Sequence, residues 1–242
     1  VNDVASPLLK VKDLHAYIGG FHILQGVNFE AEEYKLTAIL GRNGVGKTTT
    51  LKTIMGIYKA ARGEVFFKGE NITNFPTHSI VKRGISFVPA EKNVFANLTV
   101  IENLKLAYNG PKEKFDDKLE MVMNLFPELK RFSGLLAGEL SGGQQRMLAL
   151  ACGLVREHDL LILDEPSEGL SPAYVKNFYR QLRHYMLENK KTILLIEQNF
   201  AYAREITDYI YLMDKGVVVT GFPSEKIEEN NHVIRRILGV SL

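Results

Sequence analysis

The chain has a single cysteine, Cys152, no apolar run of bilayer length and no block of like charge. Each absence closes a class of function. One cysteine cannot build an intramolecular disulfide framework and fits a reducing compartment. Its setting, "LALACGLV", predicts a buried structural thiol rather than a reactive one. The most apolar stretches, "DLLILDEP" and "TILLIEQ", end in charge or polarity far short of the ~18 residues that a spanning helix needs. No signal-peptide pattern is read either. The expectation is a cytoplasmic chain that meets a membrane only through a partner. A net charge of +2, with no basic tract interleaved with aromatics, gives nucleic-acid binding no compositional support, so no nucleic-acid partner is expected. At 242 residues, 45% hydrophobic and 24% charged, the chain suits one core with an appended subdomain.

Local patterns then order the chain. The stretch "LLKVKDLHAYIGGFHILQGVNFEAEE" alternates loosely about Gly19 and Gly20 and predicts antiparallel strands. "YKLTAIL" reads as a buried strand, followed by a glycine loop and a helix carrying Leu51, Ile54, Met55 and Tyr58 on one face. "EVFFK" and "GISFVP" give two more strands. From Leu98 to about Val155 the periodicity turns helical, marking a candidate subdomain. "LLILD" and "TILLIE", with the amphipathic "AYVKNFYRQLRHYMLE" between them, predict a parallel βαβ unit. "DYIYLMDKGVVVTG" predicts a hairpin turning at residues 214–216, before a short polar helix.

Three motifs carry chemistry. Gly41, Arg42, Asn43, Gly44, Val45, Gly46, Lys47 and Thr48 satisfy G-x-x-x-x-G-K-[ST] between a strand and a helix, with Thr49 next. In such a loop successive backbone N–H groups face phosphate oxygens, the lysine reaches the β and γ phosphates, and the Thr48 hydroxyl is offered to Mg²⁺. "LLILDEP" brings Asp164 and Glu165 to the carboxyl end of a buried strand, beside those phosphates. Asp164 suits Mg²⁺, and Glu165 suits orienting and deprotonating the attacking water. The third motif, "ELSGGQQR", places Ser141 at a helix N-cap, exposes backbone at Gly142 and Gly143, and completes an S-x-x-Q capping box with Gln144. It is a second anion site in a chain that already has a better one.

With "ELSGGQQR" ahead of "LLILDEP", the chain resembles the ATP-binding cassette (ABC) family of transport ATPases over nearly its whole length. The resemblance implies an α/β fold of the P-loop NTPase, RecA-like kind, with a mixed-sheet core, an N-terminal antiparallel β subdomain and an α-helical subdomain. Residues 1–242 would form one nucleotide-binding domain, with 1–89 and 156–242 as core and 90–155 as the helical signature subdomain. It also implies ATP and Mg²⁺ as ligands and a head-to-tail pair of cassettes in which each signature closes over ATP held by the other. Tyr17 resembles the aromatic that stacks on adenine. Ser167, Gly169, Leu170 and Ser171 resemble the D-loop along the partner cassette, although Ser171 stands where aspartate is usual. Two positions depart from the family pattern. Ala90, followed by Glu91, occupies the place of a glutamine that touches Mg²⁺ and water, and either Glu91 or water takes over there. Gln198 replaces a histidine near the γ phosphate; its amide donates a hydrogen bond but carries no proton, leaving Glu165 the one evident base.

"IEQN", "LDEPSEGLSP", "LFPEL" and "LTVIENL" together look like the Liv-type subset, the ATPases of branched-chain amino acid importers. Implied partners are transmembrane permease subunits, a second cassette of the same or a different kind and, indirectly, an extracytoplasmic solute-binding protein. The implied place is the inner face of the cell membrane. A groove lined by the stretch after Ala90, "EKNVFANLTV" with Phe95, would receive the permease. Other readings are a urea or short-amide importer ATPase and a cassette without a membrane partner. The latter usually carries two cassettes or a coiled-coil insertion, and neither is seen here. A GTPase would need an N-K-x-D stretch, which is missing.

Overall fold

A computed structural model describes residues 7–91 and 93–239. The ends of the expected 1–242 domain, and Lys92 within "EKNVFANLTV", lie outside the described residues. β1 (Leu9–Ile18) and β2 (Phe21–Ala31) pair antiparallel across the Gly19–Gly20 turn. Register shifts between Val11 and Leu14 and again before Tyr17 account for the loose alternation of this stretch. β3 (Leu36–Leu40) runs into α1 (Lys47–Ile54). β4 (Arg62–Phe67) and β5 (Glu70–Asn71) complete a four-stranded sheet in the order β2-β1-β4-β5.

α1 is shorter than its periodicity suggests. It stops at Ile54 because Gly56 turns at φ 67°, where an added Cβ would lie 2.1 Å from the Phe75 carbonyl oxygen. Leu51, Ile54 and Met55 are buried as expected, but Tyr58 falls beyond the helix.

α2 (Thr77–Lys82) leads to β6 (Ile85–Val88), and then the chain turns helical: α3 (Val100–Ala107), α4 (Phe115–Leu125), α5 (Pro127–Arg131) and α6 (Gly142–Val155). β7 (Leu160–Asp164), α7 (Pro172–Glu188) and β8 (Thr192–Glu197) form the expected parallel unit. α8 (Phe200–Ala203), the hairpin of β9 (Tyr209–Asp214) and β10 (Val217–Pro223), and α9 (Asn231–Leu238) follow. The second sheet has six strands in the order β10-β9-β3-β8-β7-β6, parallel except for β10.

The central strands β3, β7 and β8 are buried along their whole length, so they alternate by destination rather than by polarity. Leu36, Ala38, Leu40, Leu161, Leu163, Ile193 and Leu195 pack toward α6 and α7. Ile39, Leu160, Ile162, Leu194 and Ile196 pack toward α1 and the four-stranded sheet. Each such side chain contributes about 1.5–3 kcal/mol on burial. Two cores thus grip one sheet and hold the carboxyl ends of β3, β7 and β8 in a fixed row.

Candidate functional site

That row is where the chemistry-bearing residues meet. Residues 41–46 form the turn from β3 into α1, with Gly44 at φ 79° and Gly46 at φ 109°. Gly41 admits no side chain, since an added Cβ would stand 2.5 Å from the Met213 carbonyl oxygen. The loop is pinned from the β9–β10 turn by the Gly216 N–H donating to Val45 O at 2.9 Å. Lys47 is buried and donates from Nζ to Gly41 O (2.9 Å) and Arg42 O (3.0 Å). It also lies 3.3 Å from Glu165 Oε1.

Asp164 ends β7 fully buried. Its Oδ1 accepts from the Thr48 hydroxyl at 3.1 Å, whereas Oδ2 has no protein partner. Burial pushes its carboxyl up to about 6, the Thr48 bond opposing and Glu165 adding to the rise. A buried carboxylate with an open oxygen next to a threonine hydroxyl is a hard-oxygen set suited to Mg²⁺. The residues therefore fit that ion: Thr48 and Asp164 would hold it, and it would neutralise phosphate charge there.

Glu165 follows at φ 46°, beyond the strand, so its side chain departs from the pleat. Its Oε2 accepts from Gln198 Nε2 at 2.6 Å. Gln198 follows β8, whose last residue Glu197 is buried and accepts from the Tyr179 hydroxyl. A cavity of about 420 Å³ opens over this group, lined by Asn43, Gly44, Gly46, Lys47, Thr48, Thr49 and Glu165, and by Ile18, Ile23 and Tyr58.

Comparison with known proteins bears on what this cavity is. The ABC transporter family model matches residues 24–168, which span the glycine loop, the helix opening at Ser141 and the acidic pair. The chain belongs to the ABC transporter family. The cassette is 39% identical to a probable branched-chain amino acid transport ATP-binding protein, LivF, of Archaeoglobus fulgidus, covering 96% of this chain and 99% of the relative. It is 33% identical to the high-affinity branched-chain amino acid transport ATP-binding protein BraG of Pseudomonas aeruginosa, over 88% and 91%. A solved nucleotide-free ATP-binding cassette from an ABC transporter superposes with a TM-score of 0.83 at 23% identity, covering 98% of this chain and 100% of that one; this likeness concerns the fold. A dimeric cassette in a post-hydrolysis state bound to ADP and Pi gives 0.79 at 25% identity, over 89% and 98%.

Other site expectations for this cassette fall outside the cavity. Ser141 caps α6 with a closed box: its N–H donates to Gln144 Oε1 (2.9 Å), and its Oγ accepts from the Gln144 N–H (3.4 Å). None of residues 141–144 lines the phosphate-loop cavity. Ser167, Gly169, Leu170 and Ser171 run from β7 to α7, and a Cβ placed on Gly143 would stand 3.2 Å from Gly169 O, so this loop abuts the signature within one chain. Tyr17 is 53% exposed and stacks on His22, with centroids 4.4 Å apart and planes within 9°; Ile18, not Tyr17, lines the cavity.

Glu91, next to Ala90, is engaged by a neighbouring lysine. Its Oε1 pairs with Lys52 Nζ at 2.8 Å, and that bond holds its carboxyl below the ordinary range. Phe95 is 61% exposed, as a docking residue would be, but it lies outside the groove beside Glu91. Cys152 is half-buried and lines that groove, with burial pushing its thiol up to about 12, so it stays protonated.

The sequence reading missed Tyr58, Ile18 and Ile23 as cavity walls. It also passed over Arg146, which is fully buried. In the sequence Arg146 closes the polar stretch "GGQQR" just before the apolar run "MLALACGLV", a position that gives no sign of burial.

Proposed function

We propose that this cassette hydrolyses ATP to power import of branched-chain amino acids, closing head to tail with a second cassette around two MgATP. The observation that carries this reading is the separation of the two anion sites. The phosphate-loop cavity would supply one wall of a nucleotide site, while the helix start at Ser141 lies outside its lining, with first-turn N–H groups that have no partner within the helix. A two-fold pairing would bring each helix start over the cavity of the other copy. The dimeric cassette bound to ADP and Pi, similar in fold, supports that arrangement.

ATP phosphates would lie against the backbone N–H groups of residues 44–49, with Lys47 leaving the Gly41 and Arg42 carbonyls to meet the β and γ oxygens. Glu165 would take the proton of the attacking water. Gln198, bonded to that carboxylate, would orient both. The backbone dipole of the opposing Ser141 helix would meet the charge spread over the transferring group. Tyr17 presents a free ring face next to Ile18, suited to stacking on adenine.

Motion would reach the permease through the groove of about 530 Å³ between β6 and α6, lined by Ile57, Phe87, Pro89, Glu91, Ala149 and Arg156. No helix among the described residues is long and apolar enough to cross a membrane. Attachment at the inner membrane face therefore rests on that groove. The solute rests on the LivF and BraG relatives.

The deciding experiment is light scattering on a sizing column with the Glu165→Gln variant. A monomer without nucleotide and a dimer with MgATP supports the sandwich; a monomer under both conditions, with or without a co-expressed second cassette, refutes it. Uptake of labelled leucine, compared with urea, in cells carrying or lacking the cassette tests the solute separately.

A further inference from the structure

The largest fully buried side chain is a cation, Arg146 of α6. Its Nη1 donates to Pro89 O (2.6 Å) and Ala90 O (3.2 Å), and its Nη2 to Asp164 O (2.8 Å) and Glu165 O (3.0 Å). Nε has no partner, and no carboxylate among the described residues forms an ion pair with it. Burial draws its pKa below the ordinary arginine value, yet a guanidinium keeps its charge in proteins. A buried cation that touches only carbonyls, with the carboxylates of Asp164, Glu168 and Glu197 acting on it at longer range, is a poor way to gain stability when an apolar side chain would serve. Its placement asks for another explanation.

The four acceptors supply one. They belong to the two segments that leave β6 and β7, and two of them are the carbonyls of the acidic pair itself. Glu165 sits at φ 46°, a conformation that a residue with a side chain adopts only when its surroundings hold it. Its N–H is donated to Ile196 O at 2.9 Å, and its carbonyl accepts both from Arg146 and, within the following turn, from the Glu168 N–H at 3.1 Å. The direction of the carboxylate toward Lys47 and Gln198 depends on these bonds. Arg146 is five residues from Ser141 on one unbroken helix, about 7.5 Å along the axis. A rigid displacement at the helix start therefore reaches the Glu165 carbonyl without an intervening hinge. The same fork holds the loop at Ala90 by its main chain, whichever side chain stands there.

We infer that Arg146 is the positioning residue through which the helix opening at Ser141 sets the carboxylate of Glu165. This rests on Glu165 acting as the hydrolytic base proposed above. The planar fork is essential, because a lysine ammonium cannot span two pairs of carbonyls.

The test is a double-mutant cycle on the full chain with Arg146→Lys, Glu165→Gln and the pair, measuring kcat, KM for MgATP and the melting temperature. The expected result is a kcat at least 10-fold below wild type for Arg146→Lys, with KM within about 3-fold and a cooperative melt. In the Glu165→Gln background the same change should alter the residual rate less than 2-fold, because its route of action is already removed. Arg146→Gln, which avoids a buried ammonium, should behave alike. Rate losses that multiply, or a folded variant within 2-fold of wild-type kcat, would overturn the inference while leaving Glu165 as base. Failure of both variants to fold would overturn it in favour of a structural role alone. If Glu165→Gln itself hydrolyses normally, the base assignment fails first and this inference falls with it.

Discussion

The two glycine-rich helix starts of this cassette are built in opposite ways for the one task proposed for both, binding an anion. At α1 the N-cap is Gly46 in the left-handed region, with no side-chain cap, and the loop before it is folded back by Gly44 and braced by Gly216. At α6 the N-cap is Ser141 in extended backbone, its own Gln144 closing the box. The first site wraps its ligand with residues that already sit in the core, as buried Lys47 and Asp164 illustrate. The second presents only a capped helix end, backed by the Gly169 carbonyl. One is a complete cradle and the other is a lid without a vessel. A lid of that kind gains a use only against another molecule.

That contrast can be broken from the cradle side with the largest effect. Glu165→Gln should lower kcat about 10³-fold, the range that a positioned general base contributes, and steady-state phosphate release measures it. Lys47→Ala should weaken MgATP binding to the isolated monomer by roughly 100-fold, since charge-assisted bonds to phosphate are worth about 2–3 kcal/mol; a fluorescent nucleotide titration reads it. The lid side should break differently. Ser141→Arg should leave monomer affinity within about 3-fold while removing the ATP dimer of the Glu165→Gln protein. A loss of monomer binding equal to that of Lys47→Ala would make both sites parts of one cavity and end the comparison.

The cradle was legible in the sequence because it is local: nine consecutive residues between a buried strand and a helix define it, and the strand "LLILD" delivers the acidic pair by its own period. The α6 cap was legible for the same reason. What stayed hidden depends on distant pieces of chain. Tyr58 becomes a cavity wall only because Gly56 ends α1 early against Phe75. Glu91 turns to Lys52, 39 residues away, for want of any local signal. Arg146 reads as a helix surface charge until the carbonyls of two other segments are seen around it.

Acid should separate the two regions by about 2 kcal/mol. His158, just past α6, is buried with Nδ1 donating to Arg156 O (2.8 Å) and Nε2 facing the Tyr185 hydroxyl (3.3 Å). Burial pulls its pKa down from 6.5 to about 3. The unfolded chain therefore binds a proton that the folded one refuses across that window. The stability that this neutral ring contributes is whole above pH 6.5 and drains as pH falls toward 3, at about 1.4 kcal/mol per unit. Between pH 6.5 and 5, denaturant midpoints should fall accordingly, and His158→Gln should flatten the slope. Amide exchange should rise first in α6 and α7, which His158 and Tyr185 join, and later in β3 and α1.

The smallest effect probes the lid alone. Ser141→Ala removes the side-chain acceptor of the Gln144 N–H and should cost about 1 kcal/mol, the usual worth of a serine N-cap. Gln144→Ala removes the reciprocal bond, and because the two bonds form one box the double variant should cost less than the sum. No equivalent exists at α1, where Gly46 caps without a side chain. A change at Gly46 instead drives a Cβ to 3.0 Å from Leu24 and Met213 in a left-handed backbone, so its penalty is strain within the cradle rather than a lost cap. Urea titrations of the three lid variants beside Gly46→Ala would then sort the two sites by mechanism. Additive losses at Ser141 and Gln144 would mean that the lid is held by the packing of α6 and not by its box.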